Sequence, residues 1–172
     1  MTFVFAALLL AQSSSPVPPP ADVRTQIVSA YRHSLDALAR GDADAAMSID
    51  TPDWVTITAG QPTRTKAEMA PLIRRDIQSM RPPAEWTAFW QPDYARNGTG
   101  TGIQVYSIEV QGDTAIVLSL VGNTTDRIVK GEPHRLWTGS HVRDTWVYTP
   151  AGWMRRKHEK LTTNEHLVDG RP

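Results

Sequence analysis

Apolar residues in the first part of the chain recur every three to four positions, the spacing of a helix that buries one face. The stripe comprises Val23, Ile27, Ala30, Tyr31 and Leu38. Asp22 precedes it as a helix cap, and Gly41 follows Arg40 as a stop signal. The pattern predicts a helix over residues 22–40 and a second, short helix from Asp42 to Met47.

A strand and a third helix come next. Residues 54–58 are rich in β-branched side chains and predict a strand that ends in a turn at residues 59–62. Thr65 and Glu68 have the spacing of a capping box, which predicts a helix start. Pro71 fits this helix if the regular part restarts there with proline as its first residue.

From Glu85 onward the pattern is that of strands. The predicted strands are residues 86–90, 103–110, 114–122, 136–148 and 153–162. Turn signals at residues 111–113 and 149–152 predict two hairpins, whereas residues 123–133 are expected to form a polar loop. Helices come first and strands follow, which is the order of an α+β fold with an antiparallel sheet.

The first twenty residues carry a different pattern. Residues 3–11 form an apolar run that is too short to span a bilayer but fits the core of a signal peptide, with a Pro-rich linker at residues 16–20. No Lys or Arg precedes Arg24, so a disordered cytosolic tail or a misassigned start stays as the alternative. We expect a periplasmic or secreted protein, otherwise a cytoplasmic one, with one domain over residues 21–162 and a polar, irregular tail over residues 163–172.

Composition narrows the classes of function. The chain has 172 residues, with 18 basic and 18 acidic side chains, and this balance argues against a nucleic-acid partner and a polybasic membrane anchor. The absence of cysteine excludes disulfides, thiolate metal sites and a thiol nucleophile. No stretch after the first twenty residues is apolar enough for a membrane helix, so no stable membrane insertion is expected.

Several short motifs occur in a fixed order. They are Ala39–Asp42, Asp50–Val55, the Gly60 turn before Thr65–Glu68, Val110–Ala115, Arg143–Val147 and Gly152–Trp153. With these motifs, residues 22–162 resemble the nuclear transport factor 2-like superfamily, and within it the ketosteroid isomerase-like and SnoaL-like bacterial domains. The resemblance implies a cone in which a curved antiparallel sheet packs against N-terminal helices around a hollow. It also implies a homodimer formed through the outer face of the sheet.

The resemblance does not carry the isomerase residues over. Ketosteroid isomerase chemistry needs an aspartate base with a tyrosine and a protonated aspartic acid as oxyanion donors. The motifs place the tyrosine position near Ser34, one turn after Tyr31, and the base position near Ile57. Asp50 and Asp53 lie upstream and are interpreted as loop and capping residues. No residue is therefore assigned as catalytic, and no cofactor is expected.

The candidate pocket residues are chosen for polar or aromatic side chains on predicted inward faces. They are Tyr31, Trp54, Thr56, Thr58, Trp90, Tyr106, Asp144, Trp146 and His158. Asp144 lies mid-strand on the same face as Trp146, where an apolar neighbour is expected to raise the pKa of its carboxyl. It would then serve as an acid or a ligand anchor, or else accept structural hydrogen bonds. His158 is either a pocket or a surface residue.

The remaining charged groups give weaker signals. Strict alternation places Arg155 and Lys157 on one strand face and Arg156 on the other. This run of positive charge is either a solvated strand surface or the rim of an anion-binding site. The five histidines have no metal-ligand spacing, so no metal site is expected.

Three functions are consistent with these observations. The first is a non-catalytic, exported protein that binds a small apolar or aromatic molecule in the cone. The second is an acid/base enzyme of the isomerase or polyketide-cyclase type that uses Asp144 with Tyr31 or His158. The third is an interaction module that uses the outer sheet face. Because one fold hosts many functions, the arrangement of the three side chains must decide; their convergence on one cavity would favour the enzyme.

Overall fold

The computed structural model describes residues 17–79, 100–162 and 165–168. The helices are α1 (Pro20–Ala39), α2 (Ala43–Ala46), a 3-10 turn (Met47–Ile49) and α3 (Lys66–Ser79). The strands are β1 (Asp50–Thr58), β2 (Arg64–Thr65), β3 (Gly100–Gln111), β4 (Thr114–Val129), β5 (Glu132–Thr149), β6 (Gly152–Lys160) and β7 (Glu165–Val168). In the part of the chain that is described, no helix is both long and apolar enough to cross a membrane.

The strands form one mostly antiparallel sheet in the order β2-β1-β6-β5-β4-β3, with β7 paired to β5. The exception is β1, which lies parallel to β6. This pairing joins the strand that follows the first helices to the last long strand of the chain. It sets Thr56 beside His158 and Asp50 beside Arg155 in the register.

The core lies between α1 and the inner face of β3, β4 and β5. Its buried members are Val23, Ile27, Tyr31, Ile49, Ala115, Val117, Trp146 and Trp153. The indole of Trp146 is fully buried, and such a side chain is among the largest apolar contributions a core can receive. The expected α+β cone is confirmed, with α1 lying across the hollow side of the sheet.

The local signals for the helix starts are mostly confirmed. Asp42 accepts a hydrogen bond from the main-chain N–H of Ala45 at 2.9 Å and caps α2. Thr65 and Glu68 form the reciprocal capping box, in which the Thr65 N–H donates to the Glu68 carboxylate at 2.7 Å. Asp22, by contrast, is not a cap: α1 begins at Pro20, and Asp22 lies inside its first turn, where the helix dipole stabilises an acid.

Three expectations about local structure are wrong. Residues 123–133 are not a loop, because β4 and β5 continue their ladder as far as Val129 and Glu132. The chain turns at Lys130 and Gly131, both with positive φ, as a tight two-residue hairpin requires. The tail is not wholly irregular, since β7 pairs with residues 136–139 of β5.

Helix α3 does not restart at its proline but runs through it. The predicted signal peptide and Pro-rich linker occupy residues 1–20, of which residues 1–16 lie outside the described residues, as does the predicted strand at 86–90.

Two hairpin glycines give a test of backbone strain. Gly112 has φ +60° and Gly152 has φ +99°, and a Cβ added at either position would meet no atom within 4 Å. Any loss on substitution therefore comes from the backbone alone. A residue with a Cβ adopts a φ near +57° at a cost of roughly 1–2 kcal/mol, and larger positive values of φ cost more. We expect Gly152→Ala to lower the free energy of unfolding by about 2–3 kcal/mol and Gly112→Ala by about 1 kcal/mol, measured by urea denaturation. Equal losses would contradict this account.

Candidate functional site

A cavity of about 270 Å³ lies between the helices and the β1–β6 strand pair. Its apolar lining residues are Leu38, Ala46, Met47, Trp54, Met69 and Ile73. Its polar lining residues are Ser34, Asp50, Thr56, Arg155 and His158. Trp146 and Trp153 lie in the core and do not line this cavity, so these two indoles do not fill its space. In the described parts of the chain, no three His, Asp or Glu side chains are grouped to hold a metal ion.

His158 is bound to a buried carboxylate behind the cavity wall. Its Nδ1 lies 2.7 Å from Oδ1 of Asp144, which faces it across the β5–β6 ladder and is fully buried. The imidazole itself is about a quarter exposed. An ionised carboxylate can only accept hydrogen bonds, so Nδ1 carries the donated proton. When the ring is neutral, its lone pair is therefore on Nε2, in a side chain that lines the cavity.

Asp144 accepts structural hydrogen bonds, which is one of the two interpretations from the sequence, whereas the expected rise of its pKa is wrong. Burial alone would raise its pKa, but the charges of His158 and Arg155 and hydrogen bonds from His158 and Tyr31 hold the pKa below its ordinary value. The expected rise of the pKa took account only of the apolar neighbour Trp146 and not of the charges and donors that surround the carboxylate. Asp144 is accordingly a hydrogen-bond acceptor that orients His158, and it does not itself line the cavity.

Tyr31 stabilises this acceptor from the other side. Its hydroxyl donates to Oδ2 of Asp144 at 2.5 Å, and Nε1 of Trp146 donates to the same hydroxyl at 3.1 Å. The two rings meet edge to face with centroids 4.9 Å apart. Burial and the adjacent Asp144 charge raise the pKa of Tyr31 well above its ordinary value, so the phenol keeps its proton. Tyr31 is thus a positioning residue that holds Asp144, not a member of the cavity lining.

Arg155 joins a second buried carboxylate to the same cluster. Its Nε donates to Oδ1 of Asp50 at 2.7 Å, and its Nη1 lies 3.7 Å from Oδ2 of Asp144. The guanidinium also lies over the ring of Trp54, 5.6 Å from the centroid. Burial alone would lower the pKa of Arg155, but Asp50 and Asp144 outweigh that effect and raise it. The guanidinium is a permanent cation enclosed by two carboxylates.

A β-bulge explains why the sequence analysis placed Arg155 and His158 on opposite faces of their strand. In the β5–β6 ladder Trp146 pairs with Arg155 and Thr145 with Lys157, so Arg156 is an extra residue. The bulge brings Arg155 to the cavity side together with His158, although strict alternation separates them. Arg155 is therefore not a solvated surface residue, and Asp50 is not a loop or capping residue. No residue type in the sequence marks the position of this bulge.

The other candidates divide by location. Trp54 and Thr56 line the cavity, whereas Thr58 lies two residues farther along β1 and does not line it. Tyr106 is the extra residue of a bulge in β3; it is about half exposed, and its ring stacks on His141 with centroids 5.7 Å apart. It does not line this cavity. Trp90 lies outside the described residues.

The comparisons with known proteins agree with this fold. No family model and no curated protein matches the chain. Among solved structures, a conserved protein from Planctomyces limnophilus is similar over 87% of this chain and all of its own, with a TM-score of 0.61 and 14% identity. A proposed dehydratase of the NTF2-like family from Streptomyces avermitilis is similar over 83% of this chain and 97% of its own, with a TM-score of 0.51 and 16% identity. A proposed aromatic ring hydroxylase from Novosphingobium aromaticivorans is similar over 87% and 96%, with a TM-score of 0.52 and 14% identity. These likenesses are of fold.

The lowered pKa of Asp144 makes a prediction about acid stability. A carboxyl whose pKa is lower in the folded state stabilises that state above the unfolded pKa, about 3.9, and this contribution is lost as the pH falls further. Asp144→Asn should be less stable at pH 7 by roughly 3–5 kcal/mol, since it leaves buried charges uncompensated. Between pH 5 and pH 2, the free energy of unfolding should decrease less for the variant than for the wild type. Urea denaturation at a series of pH values measures both effects. An equal decrease in the two proteins between pH 5 and pH 2 would contradict the lowered pKa of Asp144.

Proposed function

We propose that this chain, which has the nuclear transport factor 2-like fold, binds a small, largely apolar molecule in its cavity and transfers a proton on it through His158. One observation carries the proposal: a histidine of the cavity wall is bound through Nδ1 to a fully buried carboxylate. An imidazole held in this way keeps one tautomer and one orientation, which a general base requires.

The surrounding residues have separate roles in this proposal. Nε2 of His158 takes a proton from the ligand, and Asp144 stabilises the imidazolium that results. Tyr31 and Trp146 fix the carboxylate from behind. Returning the proton to another ligand atom completes an isomerisation, whereas delivering it to a leaving hydroxyl completes a dehydration. The similar fold of the proposed Streptomyces avermitilis dehydratase is compatible with the second reaction.

Binding without catalysis is the second candidate, and the lining favours it. Six apolar side chains enclose one side of the cavity. The volume of about 270 Å³ lies just below the range of roughly 300–1,000 Å³ that drug-sized ligands occupy. A molecule of one or two rings fits this space. The two candidates share the same pocket and differ in whether His158 acts as a base.

A general-base probe distinguishes them without knowledge of the natural ligand. 5-Nitrobenzisoxazole is a small aromatic compound; a base removes its C3 proton while the ring N–O bond breaks, and the electron pair leaves on the phenolate oxygen. We expect the wild type to accelerate this reaction beyond imidazole at the same concentration, followed by the absorbance of the phenolate. Since general bases contribute roughly 10²–10⁴-fold, His158→Gln should lower kcat/KM by about 100-fold or more.

His33→Gln is the matched control, because His33 is an exposed histidine of α1. It should leave kcat/KM unchanged. Asp144→Asn should lower kcat/KM at least about tenfold, because the amide can no longer fix the tautomer of the ring. If His158→Gln and His33→Gln behave alike, His158 is not the base. If the probe raises the Tm of the wild type but is not converted, binding without catalysis is the function.

A further inference from the structure

The polar side of the cavity contains an arginine and a histidine, which suggests at first sight an anionic ligand. Both residues line the space, and both are in contact with Asp144. The carboxylates of Asp50 and Asp144 belong to the same connected cluster. The charge presented to a ligand therefore depends on how these four groups compensate one another.

The positive charge of Arg155 is already compensated. Oδ1 of Asp50 lies 2.7 Å from its Nε, and Oδ2 of Asp144 lies 3.7 Å from its Nη1. Both carboxylates are almost completely buried, so water does not screen these contacts. With His158 neutral, as a base must be, the two carboxylates outnumber the single guanidinium. With His158 protonated, the cluster is balanced and still has no positive excess.

The nearby lysine does not change this result at the cavity surface. Nζ of Lys66 donates to the main-chain oxygen of Asp50 at 2.7 Å, and Lys66 is not among the lining residues. The ammonium group of Lys66 is only partly buried, so water weakens its effect on a ligand in the cavity. In the described part of the chain, every cationic side chain that lines the cavity has a carboxylate within 4 Å.

We propose that the ligand of this site is an uncharged one- or two-ring molecule with a single hydrogen-bond acceptor, such as a carbonyl oxygen, and that the site discriminates against carboxylates. This inference rests on the proposed function and names its substrate class. An anion would lose its hydration on entering and would meet the carboxylate of Asp50 without an uncompensated cation in return. A neutral acceptor avoids both losses. Arg155 lines the cavity, its contacts with the two carboxylates use Nε and Nη1, and a guanidinium has further N–H groups that can donate to such an acceptor.

A matched pair of probes tests the discrimination. 2-Naphthamide and 2-naphthoate have the same ring system and nearly the same shape, and they differ by one charge at pH 7.5. Because Trp54 lines the cavity, quenching of tryptophan fluorescence reports binding, and calorimetry gives each Kd. We expect the wild type to bind the amide at least about tenfold more tightly than the carboxylate, which is a lower bound, because one close contact between like charges near a protein surface costs more than this ratio.

Asp50→Asn removes the carboxylate nearest to the guanidinium and should bring the two Kd values together or reverse their order. Asp53→Asn is the control, because it removes the same charge on the same strand from an exposed ion pair with Arg156, whose N–O distance is 3.0 Å. It should keep the wild-type ratio. Circular dichroism establishes that both variants are folded; if Asp50→Asn is not, the ratio measured on the wild type decides alone.

The outcomes separate the two proposals. If the wild type binds 2-naphthoate as tightly as 2-naphthamide or more tightly, the charge argument is wrong while the proposed function stands. If Asp50→Asn folds and keeps the full preference for the amide, Asp50 is not its origin and the inference is overturned. If neither compound binds and the benzisoxazole probe is also inert, the cavity does not act on ring compounds, and both proposals fail.

Discussion

The site depends on one buried carboxylate. Asp144 is fully removed from water, where an uncompensated charge would be strongly destabilising, and its oxygens face a phenol, an imidazole and a guanidinium. Tyr31 comes from the first helix, whereas Arg155 and His158 come from the last long strand. The need to satisfy a single carboxylate therefore ties together both ends of the domain. The same requirement fixes the direction in which the imidazole points.

The histidine that lines the cavity and the buried groups that hold it lie in different parts of the structure. The fully buried groups, Asp144 and Trp146, lie in the core and have no access to a ligand, whereas His158 lines the cavity. A side chain on a strand that is supported in this way is held more accurately than a side chain on a loop. The second carboxylate, Asp50, forms the shorter contact with the arginine, at 2.7 Å. Under the two proposals, Asp144 would orient the base and Asp50 would set the charge that a ligand meets.

The sequence predicted the features that depend on local signals. The α1 stripe, the Asp42 cap, the Thr65–Glu68 capping box and the two hairpin turns at residues 111–113 and 149–152 all appear in the structure. These signals act within a few residues, so a single sequence contains them. The motif order also indicated the correct fold, and Asp144 and His158 were identified as candidates.

The features that the sequence did not predict depend on pairing between distant strands. The bulge at Arg156 changes which side chains reach the cavity. Counting alternate positions along the sequence does not reveal such an extra residue. Asp50 appeared to be a capping residue because its partner is 105 positions away along the chain. The pKa of Asp144 was expected to rise because its neighbours on the adjacent strand and on α1 were unknown. In each case tertiary contacts outweigh what the local pattern indicates.

The parallel pairing of β1 with β6 has a consequence for folding. Asp50 and Arg155 meet only after the intervening chain has closed into a long loop, and such non-local contacts form slowly because loop closure reduces chain entropy. Local elements such as α1 and the β5–β6 hairpin can form without this closure. A chain that has collapsed but has not yet inserted its early strand would have its histidine and carboxylate in place across the hairpin but would lack the cavity wall. Late assembly of that wall leaves His158 without its cavity until the native topology is complete.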